Sequence, residues 1–434
     1  MKHPIYLILL LAFLASNFGA FSQQVDYTFV DFPVVDFVYS ESEDKIYVVV
    51  SRSAERLSRS LVRVDPNTGL AEDSLSMEFD PSMMRITESG NYIYVAFSDR
   101  GQISRINPST WEVDQEIELG PLPFTNPSAW AMDFVVMNGS DNRLVVARMR
   151  ESENFHDLVM YENGILQGQA ITSGSQTELC ASPDGSMVFA YNSVSTGHQC
   201  YQISVSSNGL SLLGTYEDLV DGFRDIKASG KYVLSGSGSF IDAFVTPPVV
   251  KGNFYLGFHG EKAQGYLMSE YSGRALFITD DLELSAVRPS LYAFDTNTLA
   301  RLDERLEFDF SGTPANGARS AADLVQISAD RYAALFSSTS SSSSHLVIFD
   351  TPPLSVEDAP VEQESMSLYP NPVKDNLFIH LSDCRGCDAQ ILNAQGAIVS
   401  KLIVKNDEAI DVSQLIPGTY TIIIDKVVSS FVKQ

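Results

Sequence analysis

Positive charge is scarce in this chain: 29 Lys and Arg stand against 55 Asp and Glu, a formal net charge of −26 over 434 residues. A surface of that sign repels phosphate backbones, which excludes nucleic acid as a partner. Long apolar runs are missing beyond the first 22 residues. None reaches the roughly 18 residues that span a bilayer as a helix, so the chain reads as not transmembrane. Histidine is rare, with six in all, and those past the N-terminus (His156, His198, His259, His345 and His380) are scattered. No Gly-x-Ser-x-Gly elbow, His-Glu-x-x-His zinc helix, P-loop or dinucleotide fingerprint occurs, which argues against an enzyme. No cofactor is identified and no metal site is assigned. The acidic run Asp280-Asp281-Leu-Glu283 lacks the EF-hand pattern and reads more readily as a solvated loop than as a calcium site.

Cysteine is limited to four residues. Cys384 and Cys387, in a Cys-x-x-Cys arrangement, can close a small disulfide ring, act in redox chemistry or form half of a zinc site. Cys180 and Cys200 are either a second disulfide or buried free thiols.

The N-terminus has a basic Lys2, an apolar core from Ile5 to Ala15, and small residues at Ala20 and Ser22. This is a secretory leader, residues 1–22, with cleavage expected before Gln23. Past it, a polar turn running into an apolar strand recurs seven times. It appears as Ser42-Glu-Asp-Lys-Ile-Tyr-Val-Val-Val50, Glu88-Ser-Gly-Asn-Tyr-Ile-Tyr-Val-Ala96, Gly139-Ser-Asp-Asn-Arg-Leu-Val-Val-Ala147 and Ser182-Pro-Asp-Gly-Ser-Met-Val-Phe-Ala190. Shorter versions follow at Ser229 to Ser235, Ser272 to Ile278 and Ala329 to Leu335. The period, measured from Ile46, Ile93, Leu144, Val188, Val233, Leu276 and Ala333, is 43 to 57 residues. A four-stranded propeller blade takes about 40 to 50 residues. Tight turns keep the same phase, as in Leu61-Val-Arg-Val-Asp-Pro-Asn-Thr-Gly69 and Ile103-Ser-Arg-Ile-Asn-Pro-Ser-Thr110. These repeats resemble the YVTN family of propellers, which is similar to the quinoprotein-type dehydrogenases.

The expected fold is therefore all-β, with a seven-bladed β-propeller over residues 23–352. Tyr27-Thr-Phe-Val-Asp-Phe32 alternates and belongs to no repeat, so it is expected to latch onto the last blade at Leu346 to Phe349. Counting ten residues back from each repeat anchor reaches the innermost strands at Asp36, Met83, Phe134, Glu178, Phe223, Tyr266 and Asp323, with Arg85, Asp133, Arg224 and Asp225 beside them. The candidate ligand site at the channel mouth is Asp36, Arg85, Asp133, Glu178, Arg224 and Asp323. Such a ring either binds a cation, a sugar glycan or a basic peptide, or pairs internally with channel water.

Residues 353–366 are an acidic, proline-containing linker. From Ser367 onward, short alternating runs separated by Pro, Asn and Gly predict a small Ig-like antiparallel β-sandwich, residues 367–434. Its landmarks are Tyr369-Pro370-Asn371-Pro372, then Leu415-Ile-Pro-Gly418-Thr-Tyr420, then Lys433 near the end. Their order and spacing resemble the type A C-terminal sorting domain of the type IX secretion system of Bacteroidetes; Cys384-Arg-Gly-Cys387 departs from that pattern. The resemblance implies export through the periplasm to the outer-membrane surface or the medium. The implied partners are the type IX translocon and a sortase-like protease. Asp73-Ser74-Leu75 resembles the O-glycosylation acceptor motif of the same group of bacteria, which marks Ser74. The functional expectation is a secreted, non-enzymatic binding or adhesion module with a glycan or peptide ligand. The alternative is a hydrolase or lactonase-like propeller using the channel carboxylates.

Overall fold

A computed structural model describes residues 23–24, 27–120, 129–150, 153–172, 176–194, 197–220, 222, 225–256, 263, 265–269, 271–280, 288–316, 318, 321–337, 344–351, 367–380, 387–393, 397–405, 409–424 and 427–434. The leader, the linker, Phe223, Arg224 and Cys384 lie outside the described residues. Every regular element among the described residues is a strand, and no helix is long and apolar enough to cross a membrane.

Between Gln23 and Asp350 the described strands form seven sheets, antiparallel but for one added strand, taken in chain order as sheets one to seven. Sheet one shows the pattern. Its strands are Asp36–Ser40, Lys45–Val50, Ser60–Val64 and Ala71–Ser76, side by side in chain order. The second and third are buried almost throughout because neighbouring sheets cover both faces, which is why they read as continuous apolar runs. The fourth is polar and exposed.

The first strands of the remaining sheets are Pro81–Ile86, Trp130–Val136, Glu178–Ala181, Ile226–Ser229, Gly265–Met268 and Ala321–Gln326. Each packs against the first strand of the next sheet from one to seven. Sheet seven packs back on sheet one through a shared core in which Ile327, Leu335 and Ile348 meet Phe37, Ile46 and Val48. The seven sheets therefore follow one another around a common centre.

Closure depends on the N-terminus. The strand Tyr27–Phe29 pairs antiparallel with Ser344–Asp350, matching Tyr27 with Phe349 and Phe29 with Val347. This is the latch expected from sequence. Val30 and Val34 N–H continue it onto the Leu346 and Ser344 carbonyls, both at 3.0 Å. Tyr27 and Phe29 pack edge-on against Phe310, while Val30, Phe32 and Val34 are buried between sheets seven and one. An addition not expected from sequence is Gln23–Gln24, which lies parallel to Arg301–Glu307 as a fifth strand of sheet six.

The Asp65 to Gly69 turn also serves the seam. The Asp65 carboxylate accepts the Asn67 and Thr68 amides at 2.7 and 3.1 Å. Gly69 has φ +69°, and a Cβ there would stand 2.8 Å from Thr28 Cγ2 and 3.0 Å from the Phe29 carbonyl. Glycine is needed both for the turn and to let the latch strand pass.

Residues 367–434 form two further sheets. Ser367–Tyr369, Asn376–His380 and Ala409–Asp411 make one; Cys387–Leu392, Ile398–Val404, Gly418–Ile424 and Val427–Lys433 make the other. Both contribute to one apolar core that includes Leu377, Ile379, Ile391, Tyr420, Ile422 and Phe431.

Deleting residues 23–34 re-opens the outer edge of sheet seven and removes several buried apolar side chains. At about 1.5–3 kcal/mol for each side chain, a fall in melting temperature of about 10 °C or more is expected in a thermal scan. An unchanged melting curve would contradict the latch.

Candidate functional site

The first strand of each sheet runs into the hairpin to the second strand at a residue that is its last or the one just after it: Ser40, Thr87, Met137, Ser182, Ser229, Ser269 and Ile327. Three residues before each of these stand Phe37, Met84, Phe134, Leu179, Ile226, Tyr266 and Leu324, all buried between adjacent sheets. Side chains alternate along a strand, so the residues one step further back face the opposite way, toward the centre. Those residues are Asp36, Met83, Asp133, Glu178, Asp225, Gly265 and Asp323. Two steps on, the same face carries Arg85 and Lys227.

The count of ten residues thus holds for Asp36, Met83, Glu178 and Asp323, and is corrected for three sheets. In sheet three the hairpin is one residue longer, which moves the central position from Phe134 to Asp133. In sheet five it is two residues shorter, which brings in Asp225. In sheet six the repeat anchor lies one residue late, so Tyr266 packs between sheets and Gly265 faces the centre. A Cβ on Gly265 would lie 2.5 Å from that of Ala321, so no larger residue fits there.

The central groups make contacts across sheets. Arg85 Nη2 donates to Asp133 Oδ1 at 2.8 Å, and Arg85 Nη1 stands 3.5 Å from Asp36 Oδ2. One guanidinium on sheet two therefore ties sheets one and three. The two aspartates also staple neighbouring backbones. Asp36 accepts the amide of Phe37 at 2.9 Å and that of Met84 at 2.8 Å. Asp133 repeats this with Phe134 and Leu179, both at 2.8 Å. Lys227 reaches from sheet five past sheet six to pair with Asp323, and its ammonium stands 5.0 Å from the Tyr266 ring centroid. Glu178 accepts a hydrogen bond from Ser193 Oγ at 2.9 Å.

Solvent still reaches this layer: the Arg85 side chain is 36% exposed and those of Lys227 and Asp323 27%. Burial pushes Asp36 up to about 6, helped by Asp323 and opposed by Arg85. Burial also raises Asp225 to about 6, against the pull of Lys227. Glu178 goes furthest, to about 8, through burial with the Asp133 and Asp225 charges added. It holds its proton at neutral pH.

Of the six candidate residues, the structure brings together Asp36, Arg85, Asp133, Glu178 and Asp323; Arg224 is outside the described residues. The sequence reading missed Lys227 and the hydroxyl of Tyr266. The signal for Lys227 was its place two residues after Asp225, matching the spacing of Arg85 from Met83. Among the described residues no three His, Cys, Asp or Glu side chains converge as a metal site.

The cysteine alternatives separate. Cys180 and Cys200 are free, buried thiols rather than a disulfide. They lie on the first and third strands of sheet four with Met187–Tyr191 between them. Two strand spacings of about 4.8 Å exceed the roughly 7 Å Cα limit for a bridge. Cys387 is disulfide-bonded. Ser74 is exposed on the outer strand of sheet one.

The C-terminal landmarks converge on the last strand. Asn371 Nδ2 donates to the Ser430 carbonyl at 3.1 Å, and Asn371 Oδ1 accepts the Val432 amide at 2.9 Å, so one side chain mimics a paired strand at the sheet edge. Val373 then bridges to Lys433 in parallel. Tyr369 stacks on Phe378. Gly418 pairs with Lys433, Leu415 packs on the core, and Tyr420 is buried against Phe431 with its hydroxyl on the Ile416 carbonyl at 2.9 Å. The Asn-Pro motif and the terminal strand are one structural unit, although sixty residues separate them in sequence.

A pH prediction follows from Glu178. Folded, it keeps a proton up to about pH 8, whereas an unfolded glutamate loses it near 4.3. Between these values the folded state binds more protons, so this residue's contribution to stability falls as pH rises. Glu178→Gln removes that dependence. The variant should melt above the parent at pH 9, by the equivalent of up to about 5 kcal/mol, with the gap closing toward pH 5. A gap independent of pH would contradict the assignment.

Comparison with known proteins agrees with both parts. A search of the curated proteins found no match. Among solved structures, 1071 chains match, too common a fold to select a function. One is the β-propeller domain of Myceliophteria thermophila Cps50 (Swd1), with 9% identity, TM-score 0.52, and coverage of 75% of this chain and 100% of that one. Another is Kuenenia stuttgartiensis hydrazine synthase, with 12% identity, TM-score 0.53, and coverage of 78% and 100%. At such identities the likeness carries the β-propeller fold alone. The family of secretion system C-terminal sorting domains matches residues 367–434. The chain thus carries a type IX secretion sorting domain as its C-terminal part, and it is a secreted or cell-surface protein.

Proposed function

We propose that the protein is a non-enzymatic binding module: a closed seven-bladed propeller, residues 23–352, delivered to the cell surface or medium by an Ig-like sorting sandwich. In this reading residues 1–22 are removed as a leader. The translocon reads the tail, and a sortase-like protease cuts within residues 353–366, so that the propeller is released or anchored. The observation that carries the reading is the pairing of a sorting domain with a solvent-reached layer of charged side chains at the propeller's centre.

The layer offers recognition groups but a poor nucleophile. The Cys180 thiol is pushed well up by burial and by the Asp133 and Glu178 charges, and so stays protonated and unreactive. One observation favours the second reading, a hydrolase: Glu178 is protonated at neutral pH and can donate to a leaving group.

A glycan and peptide array probed with the mature chain distinguishes them. The expected result is saturable retention on a defined ligand class, weakened by Arg85→Ala, with no turnover of ester or lactone substrates. Turnover that disappears in Glu178→Gln, without retention on the array, would overturn the binding reading.

A further inference from the structure

The central charges are not evenly matched. Arg85 serves Asp36 and Asp133, and Lys227 serves Asp323, but Glu178 has no ion pair among the described residues. Asp225, on the adjacent sheet, feels the Lys227 charge but makes no salt bridge among the described residues. The Tyr266 hydroxyl is fully buried and interacts most strongly with Asp225, with Glu178 and Cys180 further neighbours, yet it makes no hydrogen bond of good geometry with any of them. A buried hydroxyl left in that state costs free energy that a bound donor would return.

Resting on the reading of a central binding site, we propose that the arc formed by Glu178, Asp225 and Tyr266 Oη receives the primary ammonium group of a lysine side chain. An ammonium has three N–H donors and no acceptor, which matches two carboxylates and one hydroxyl oxygen. Its hydrogen bonds of about 2.7–2.9 Å suit a wider arc than the roughly 2.4 Å oxygen contacts of calcium.

Arrival of the cation favours ionised Glu178, which is otherwise held neutral by burial and by Asp133 and Asp225, with Arg85 opposing. Binding therefore releases a proton at neutral pH. Affinity climbs toward tenfold per pH unit below pH 8, while the ligand ammonium stays charged to about pH 10.

The test is calorimetric titration of the mature full chain with Nα-acetyl-lysine methylamide, its uncharged norleucine analogue, and calcium. Each is run in two buffers of different ionisation enthalpy, from pH 6 to 8. The lysine probe alone should bind, with proton release. Glu178→Gln should weaken binding by about tenfold or more and abolish the pH slope. Tyr266→Phe should weaken it several-fold and keep the slope. A melting curve establishes that each variant is folded. Equal binding of the norleucine analogue, no binding of the lysine probe, or unaltered affinity in folded Glu178→Gln would overturn the proposal. An array ligand that is neutral and insensitive to Glu178→Gln would sink this inference while leaving the binding-module reading intact.

Discussion

Sheet closure is the constraint on which everything else in the propeller depends. A run of four-stranded sheets has two open ends, each exposing backbone donors and acceptors and an apolar flank. Here the strand Tyr27–Phe29 joins the outer edge of sheet seven, and the residues after it fill the gap to sheet one. One short segment thereby satisfies a sheet edge and covers the seam. Gly69, which lets it pass beneath the Asp65 turn, belongs to the same device.

The central layer is a consequence of that closure. Bringing seven first strands around one centre crowds carboxyl groups that would separate in an open array. The fold offsets this by giving Arg85 to two aspartates and by sending Lys227 across to Asp323. Backbone amides supply the remaining stabilisation to Asp36 and Asp133. Glu178 stays neutral instead, because burial and the neighbouring Asp133 and Asp225 charges outweigh the pull of Arg85. The layer is therefore polar, partly open to solvent, and among the described residues richer in carboxyl groups than in cations.

Much of this was legible in the sequence, for identifiable reasons. The turn-strand repeat survives because each second strand is buried on both faces and must be apolar, as Ile46 to Val50 and Leu144 to Ala147 are. The latch stood out because Tyr27 to Phe32 alternates without a repeat of its own. The sorting tail was readable because Asn371, Gly418, Tyr420 and Lys433 each answer to a fixed requirement of the terminal strand. The central layer was harder, since a hairpin longer by one residue, as before Arg143, turns the next side chain to the other face. Lys227 escaped because its partner Asp323, nearly a hundred residues away, leaves no local pattern. The cysteine pair within sheet four could not be decided without knowing that a strand separates them.

The most direct test of closure is amide hydrogen exchange in the mature chain, read at Val30 and Val34, whose N–H groups bond to Leu346 and Ser344. If the N-terminal segment seals the ring, these amides exchange only with the opening that also frees Ile348 in the partner strand. Exchange at the rate of a free terminus, with Ile348 still protected, would show that the ring holds without its latch and would contradict the account.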